Sequence, residues 1–105
     1  MEFKVVWSIV AEKYLDEIFE YYLKEVDEKI AKKIILDIVT YSKILSKNQH
    51  IGKVEELLSG RVKTYRFLVC KNYKIIYSVY EKDKYVLVVA IFDTRQNPEK
   101  ITKLV

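Results

Sequence analysis

The chain has 105 residues, half of them hydrophobic and 32% charged, with two glycines, one proline and a formal net charge of +4. That composition excludes a flexible or low-complexity chain, and with no apolar run near the ~18 residues of a membrane span it excludes a bilayer-spanning helix. Cys70 is the single cysteine, which excludes an internal disulfide and a thiolate metal cluster.

A chain of this length buries roughly two-thirds of the surface that its unfolded form exposes, so one compact domain over 1–105 is expected. Glu2 and Lys4 stand where a signal peptide would carry a different pattern, and a cytoplasmic location is expected. Charge is uneven along the sequence. Residues 1–60 carry nine lysines against eleven acids, a net −2, whereas residues 61–105 carry ten cations against four acids, a net +6. The second half therefore favours encounter with polyanions or acidic partners.

Taken in order, Phe3-Lys4-Val5-Val6-Trp7 predicts a strand over 2–7, and Ser8 is a helix N-cap type at its end. Ala11, Tyr14, Leu15, Ile18 and Tyr22 recur at helical spacing and predict a helix over 9–24. Asp27 caps a second helix, predicted over 28–46, with Ile30, Ile34, Ile38, Tyr41 and Leu45 on one face. Two helices joined this tightly form an antiparallel hairpin. A polar connector over 47–60 contains His50 and Gly52. Without a second ligand-type neighbour, His50 reads as a loop histidine, and no metal or cofactor is expected.

Three runs rich in β-branched and aromatic residues follow, predicting strands near 62–70, 73–80 and 85–93 in an antiparallel meander, with the first strand beside the last. If Lys71 and Asn72 form the first turn, with Asn72 the residue suited to positive φ, then Arg66, Leu68, Ile75, Tyr77 and Val79 share one face. Tyr65, Phe67, Val69, Lys74 and Ile76 share the other. Both faces are largely apolar, so either helices cover both or a partner covers one. Leu15, Ile18, Ile34, Ile38, Leu68, Ile75 and Tyr77 form the expected core. The order predicts an α+β fold, β-α-α-β-β-β, with a helical hairpin packed on a mostly antiparallel four-stranded sheet. No Gly-rich phosphate loop, nucleophile motif or paired acid-base carboxylates occur.

Trp7-Ser8 leading into a helix with Ala11 and Leu15, Ala31 in the second helix, Gly52, Arg66-Phe67-Leu68 and Tyr73-Lys74-Ile75-Ile76-Tyr77 together resemble the RelE/ParE superfamily of type II toxin–antitoxin (plasmid stabilisation) toxins. The likeness spans nearly the whole chain and is closer to the ParE-like pattern. It implies a growth-arresting toxin neutralised by a cognate antitoxin that buries apolar surface together with some of Arg66, Lys74 and Arg95. ParE-like members inhibit DNA gyrase. RelE-like members are ribosome-dependent endonucleases that cut mRNA with basic residues on the exposed sheet face. Where those carry two lysines this chain has Tyr65 and Phe67. Lys74 stands for an arginine, Arg95 matches a later arginine, and Ile101 falls where they have a tyrosine.

RNA cleavage needs a base, cationic stabilisation of the transition state and help for the leaving oxygen. Lys74 and Arg95 supply only the second, so whether the chain is an enzyme stays open, with those two as its catalytic residues if it is a nuclease. The resemblance implies a gyrase-binding toxin first, a ribosome- and mRNA-directed nuclease second, and a decayed member that only binds antitoxin third. Arg66, Lys74, Arg95, Tyr65, Phe67, Gln96 and Asn97 are the candidate binding residues. Arg66 has a structural reading beside the functional one, pairing across the sheet edge or with Asp16 or Glu17.

Overall fold

The computed structural model describes residues 2–105. β1 (Lys4–Trp7) leads into α1 (Ile9–Glu25), and α2 (Glu28–Ser42) follows after a short turn. Each helix starts where a side chain satisfies a free backbone N–H: Ser8 Oγ accepts from Ala11 N at 3.0 Å, and Asp27 Oδ1 accepts from Ile30 N at 2.8 Å. The α-helix proper stops at Ser42 and tightens into a 3₁₀ turn over Lys43–Ser46, where a single helix to residue 46 was expected. Then come β2 (Lys53–Val54), a 3₁₀ turn (Glu56–Leu58), β3 (Tyr65–Cys70), β4 (Tyr73–Tyr80), β5 (Tyr85–Asp93) and a 3₁₀ segment (Pro98–Lys103).

The sheet order is β1-β5-β4-β3-β2. β1 runs parallel to β5, and every other neighbouring pair is antiparallel. The expected α+β class and meander are present, with a fifth strand added: two connector residues pair with Arg66 and Phe67 at the edge. β3 begins at Tyr65 rather than near residue 62, because β2 reaches only that far and Val62 stands fully in solvent.

The β3–β4 register sets Arg66 opposite Tyr77 and Leu68 opposite Ile75, dividing the two faces as the alternation predicts. In the turn, Lys71, not Asn72, takes positive φ (55°). Asn72 instead directs its amide to Asp93 (3.2 Å), while the Lys71 ammonium reaches Asp37 on α2 at 3.1 Å.

α1 and α2 cover one face, packing Ala11 and Ile38 against Leu68, Ile75, Tyr77, Val86 and Val88. The opposite face has no α-helix packed on it. The two 3₁₀ segments lie over it, burying Leu58 and Ile101 against Ile76, Ala90 and Phe92. Arg61 Nη2 donates to the Thr102 carbonyl at 2.7 Å and ties these segments together. β4 is thereby buried on both sides from Ile75 to Ser78. Of the expected core, Ile38, Leu68, Ile75 and Tyr77 are buried, whereas Leu15, Ile18 and Ile34 are half-buried and line it.

Ile38 has no exposed surface, while Leu36 two positions away is 64% exposed. Ile38→Ala is expected to lower unfolding free energy by about 2–5 kcal/mol, and Leu36→Ala by less than about 0.5 kcal/mol. Urea unfolding of the two variants checks the assignment of the α2 face.

Candidate functional site

The connector crosses the sheet edge at Gly52, whose N–H donates to the Tyr77 hydroxyl at 2.9 Å. A Cβ at Gly52 would meet that oxygen at 2.6 Å and the Phe67 carbonyl at 2.7 Å, so only a hydrogen fits. Arg66 secures the same crossing. Its Nη1 donates to the carbonyls of Gly52 (2.9 Å) and His50 (3.4 Å), a sheet-edge role and not a pairing with Asp16 or Glu17. His50 Nε2 lies 2.7 Å from Glu81 on the surface.

Three residues past Gly52, Glu55 turns under the connector and is 4% exposed. Lys74, from the middle of the sheet face opposite the helices, meets it at 2.8 Å and lies 4.0 Å over the Phe67 ring. A buried carboxylate is tolerated when paired and hydrogen-bonded, and this one also accepts from Leu57 N at 3.3 Å. Tyr65 packs in the same cluster as Phe67. The structure thus brings Lys74, Phe67 and Tyr65 together, as the register predicts, with the Lys74 cation already matched by an anion.

Arg95 lies elsewhere. Its Nε and Nη2 donate to Asp93 at 3.0 and 2.8 Å, and Tyr22 and Tyr73 from the helix side are near enough to act on its charge. This pairing holds the Asp93 carboxyl down at about 2. Burial, and then the hydroxyl of Tyr22 at 3.3 Å, push the Tyr73 phenol well above its ordinary value, so it stays protonated. Arg95 and Gln96 open onto a cleft of about 730 Å³ between α1 and the C-terminal 3₁₀ segment. Tyr14, Ile18 and Tyr21 form one wall, and Lys100 and Lys103 stand on the other. Asn97 is spent locally, its Oδ1 accepting from Glu99 N at 3.1 Å as the cap of the 3₁₀ segment.

The seven candidate residues therefore fall into separate places: the Lys74 face, the Arg66 edge and the Arg95 cleft. Sequence reasoning missed Glu55 and the two cleft lysines. The signal for the lysines was present, since Lys100 and Lys103 follow a proline at the three-residue spacing that aligns side chains in a 3₁₀ helix. Among the described residues no group of acidic, histidine or cysteine side chains is arranged to hold a metal ion. None of their helices is long and apolar enough to cross a membrane.

A family model described as the ParE toxin of type II toxin–antitoxin systems, parDE, matches residues 5–98. Among solved structures, a chain of the chromosomal ParDE toxin–antitoxin system from P. aeruginosa superposes with a TM-score of 0.74 at 23% identity, over 88% of this chain and 96% of that one. A chain of the toxin–antitoxin complex RelBE2 from Mycobacterium tuberculosis superposes with a TM-score of 0.62 at 13% identity, over 89% and 92% respectively. At these identities the likeness is one of fold. No curated protein matches the sequence.

Two predictions follow from the ion pairs. Glu55→Ala leaves Lys74 without its anion in a site where the lysine side chain is only 20% exposed, and is expected to cost about 1–3 kcal/mol. Lys74→Met in that background is expected to recover part of the loss, as a double-mutant cycle by denaturant unfolding will read. Asp93 titrates at about 2 when folded against 3.8 as its ordinary value. Its contribution to stability is therefore complete above the ordinary value and is lost as pH falls toward the folded one. The stability difference between wild type and Asp93→Asn is expected to hold steady near neutral pH and to shrink below about pH 4, measured as unfolding free energy against pH.

Proposed function

Because the chain belongs to the ParE toxin family of type II toxin–antitoxin systems, we propose that it arrests growth by inhibiting DNA gyrase through protein–protein contact in the cytoplasm, and that a cognate antitoxin neutralises it. The observation that carries this reading is the condition of its cations. A nuclease of the related type needs positive groups converging on one scissile phosphate, with a base beside them. Here Lys74 is matched by buried Glu55 on one side of the sheet, and Arg95 is matched by Asp93 on the helix side. His50, the only histidine, pairs with Glu81.

Such an arrangement supports contact with a protein surface better than it supports phosphoryl chemistry. Paired charges contribute register and specificity at an interface without having to act on a reacting atom. The resemblance to solved toxin–antitoxin structures supports an antitoxin as the second partner.

Expression without the adjoining antitoxin gene is expected to arrest growth, with filamentation and accumulation of gyrase–DNA cleavage complexes, while bulk mRNA stays intact. Purified protein is expected to inhibit gyrase supercoiling. Codon-boundary mRNA cuts that require translating ribosomes, and that vanish in Lys74→Ala/Arg95→Ala, would replace this reading with the nuclease one.

A further inference from the structure

We infer that the hollow beside the Gly52 crossing, where the connector, the start of β3 and the β4–β5 turn meet, binds inorganic phosphate or a small phosphate monoester. Lys63, Thr64 and Arg66 supply its donors. The grounds are two partly buried cations that the fold holds in place and leaves without a counter-ion.

The hollow has a volume of about 340 Å³. Thr64 and Arg66 stand two residues apart in the extended chain entering β3, an interval that sends both side chains to one side, and both line the hollow together with Lys63. The Arg66 guanidinium is anchored by one nitrogen. Nη1 donates to the Gly52 and His50 carbonyls at 2.9 and 3.4 Å, while Nε and Nη2 have no acceptor among the described residues. Lys63 Nζ donates to the Val79 carbonyl at 3.3 Å and lies 3.7 Å over the Tyr80 ring, which stacks in turn on Tyr85 at 4.5 Å. Carbonyls and a ring orient these cations without neutralising them. Neither forms an ion pair with a described residue, in contrast to Lys74 and Arg95, and the Thr64 hydroxyl has no hydrogen-bond partner among those residues.

An anion is what such a set lacks. Arg66 offers planar donors in a fork, Lys63 a point charge and Thr64 an O–H, and groups already held in place bind without the full entropy cost of ordering them. A phosphate monoester has three terminal oxygens and nearly two negative charges at neutral pH, enough to engage all three side chains. A phosphodiester has fewer free oxygens and a single charge. Glu81, the acid in the lining, is engaged by His50 at 2.7 Å, which lessens its repulsion of an anion. Because Arg66 also holds the carbonyls of the crossing, the bound anion is expected to stabilise the fold.

The test is titration of the full chain with sodium phosphate, adenosine 5′-monophosphate and dimethyl phosphate in turn, at constant ionic strength set by chloride, followed by amide NMR. Phosphate is expected to give saturable shifts centred on Gly52, Lys63 and Thr64, and to raise the melting temperature. Lys63→Gln is expected to weaken binding at least about fivefold, whereas Lys29→Gln, the same charge change on α2, stays within about twofold of wild type. Glu81→Gln is expected to tighten it. The amide spectrum of each variant reports that it folds. Binding of the nucleotide as well as phosphate assigns the site to esters, and binding of phosphate alone assigns it to the free ion. Shifts that fail to saturate, equal weakening by Lys63→Gln and Lys29→Gln, or dimethyl phosphate binding as tightly as phosphate would each overturn the site.

Discussion

The hydrogen bond from Gly52 N–H to the Tyr77 hydroxyl fixes how the long connector meets the sheet. Tyr77 is wholly buried in the strand that packs on both sides, so its hydroxyl needs a partner, and the connector backbone supplies one. Once the chain is held at that point, Lys53 and Val54 fall into register with β3, Arg66 reaches the carbonyls above it, and Glu55 is turned inward onto Lys74. The contact works only because Gly52 has no side chain. The missing side chain at Gly52 thus lets the connector lie against the sheet edge and carry Leu58 onto one sheet face.

That cover explains why the alternation of the strands was legible while its meaning was not. Arg66 and Leu68 against Ile75 and Tyr77 could be assigned to one face from a period of two and a two-residue turn, and both helices from their spacing and caps. What lies over the second face depends on Leu58 and Ile101, single residues in short 3₁₀ turns with no periodicity to announce them. The two-residue β2 is likewise too short to leave a pattern. Its pairing is imposed by the Gly52 crossing, not by its own residue types.

Charge partners were the least legible feature, because they are set by distance in space. Lys74 and Glu55 are nineteen positions apart, and nothing local distinguishes Glu55 from Glu56, which is exposed. Arg95 and Asp93, two apart, are nearer the limit of what sequence shows, yet their pairing takes Arg95 away from the face that holds Lys74. A candidate list drawn from composition therefore mixes residues on different sides of the sheet. In the folded chain Lys74 and Arg95 are each held by a carboxylate, on opposite sides of the sheet.

The parallel pairing of β1 with β5 ties the first strand of the chain to its last. During synthesis β1, α1 and α2 leave the ribosome before any strand they pack on exists, and the ladder from Lys4 to Trp7 has no partner until residues 85–88 have emerged. The meander, by contrast, is joined by short turns and assembles from neighbours. Closure of the fold therefore waits until β5 has emerged. Until then β1 has no strand beside it, and the inward faces of α1 and α2 lack the completed sheet on which they pack.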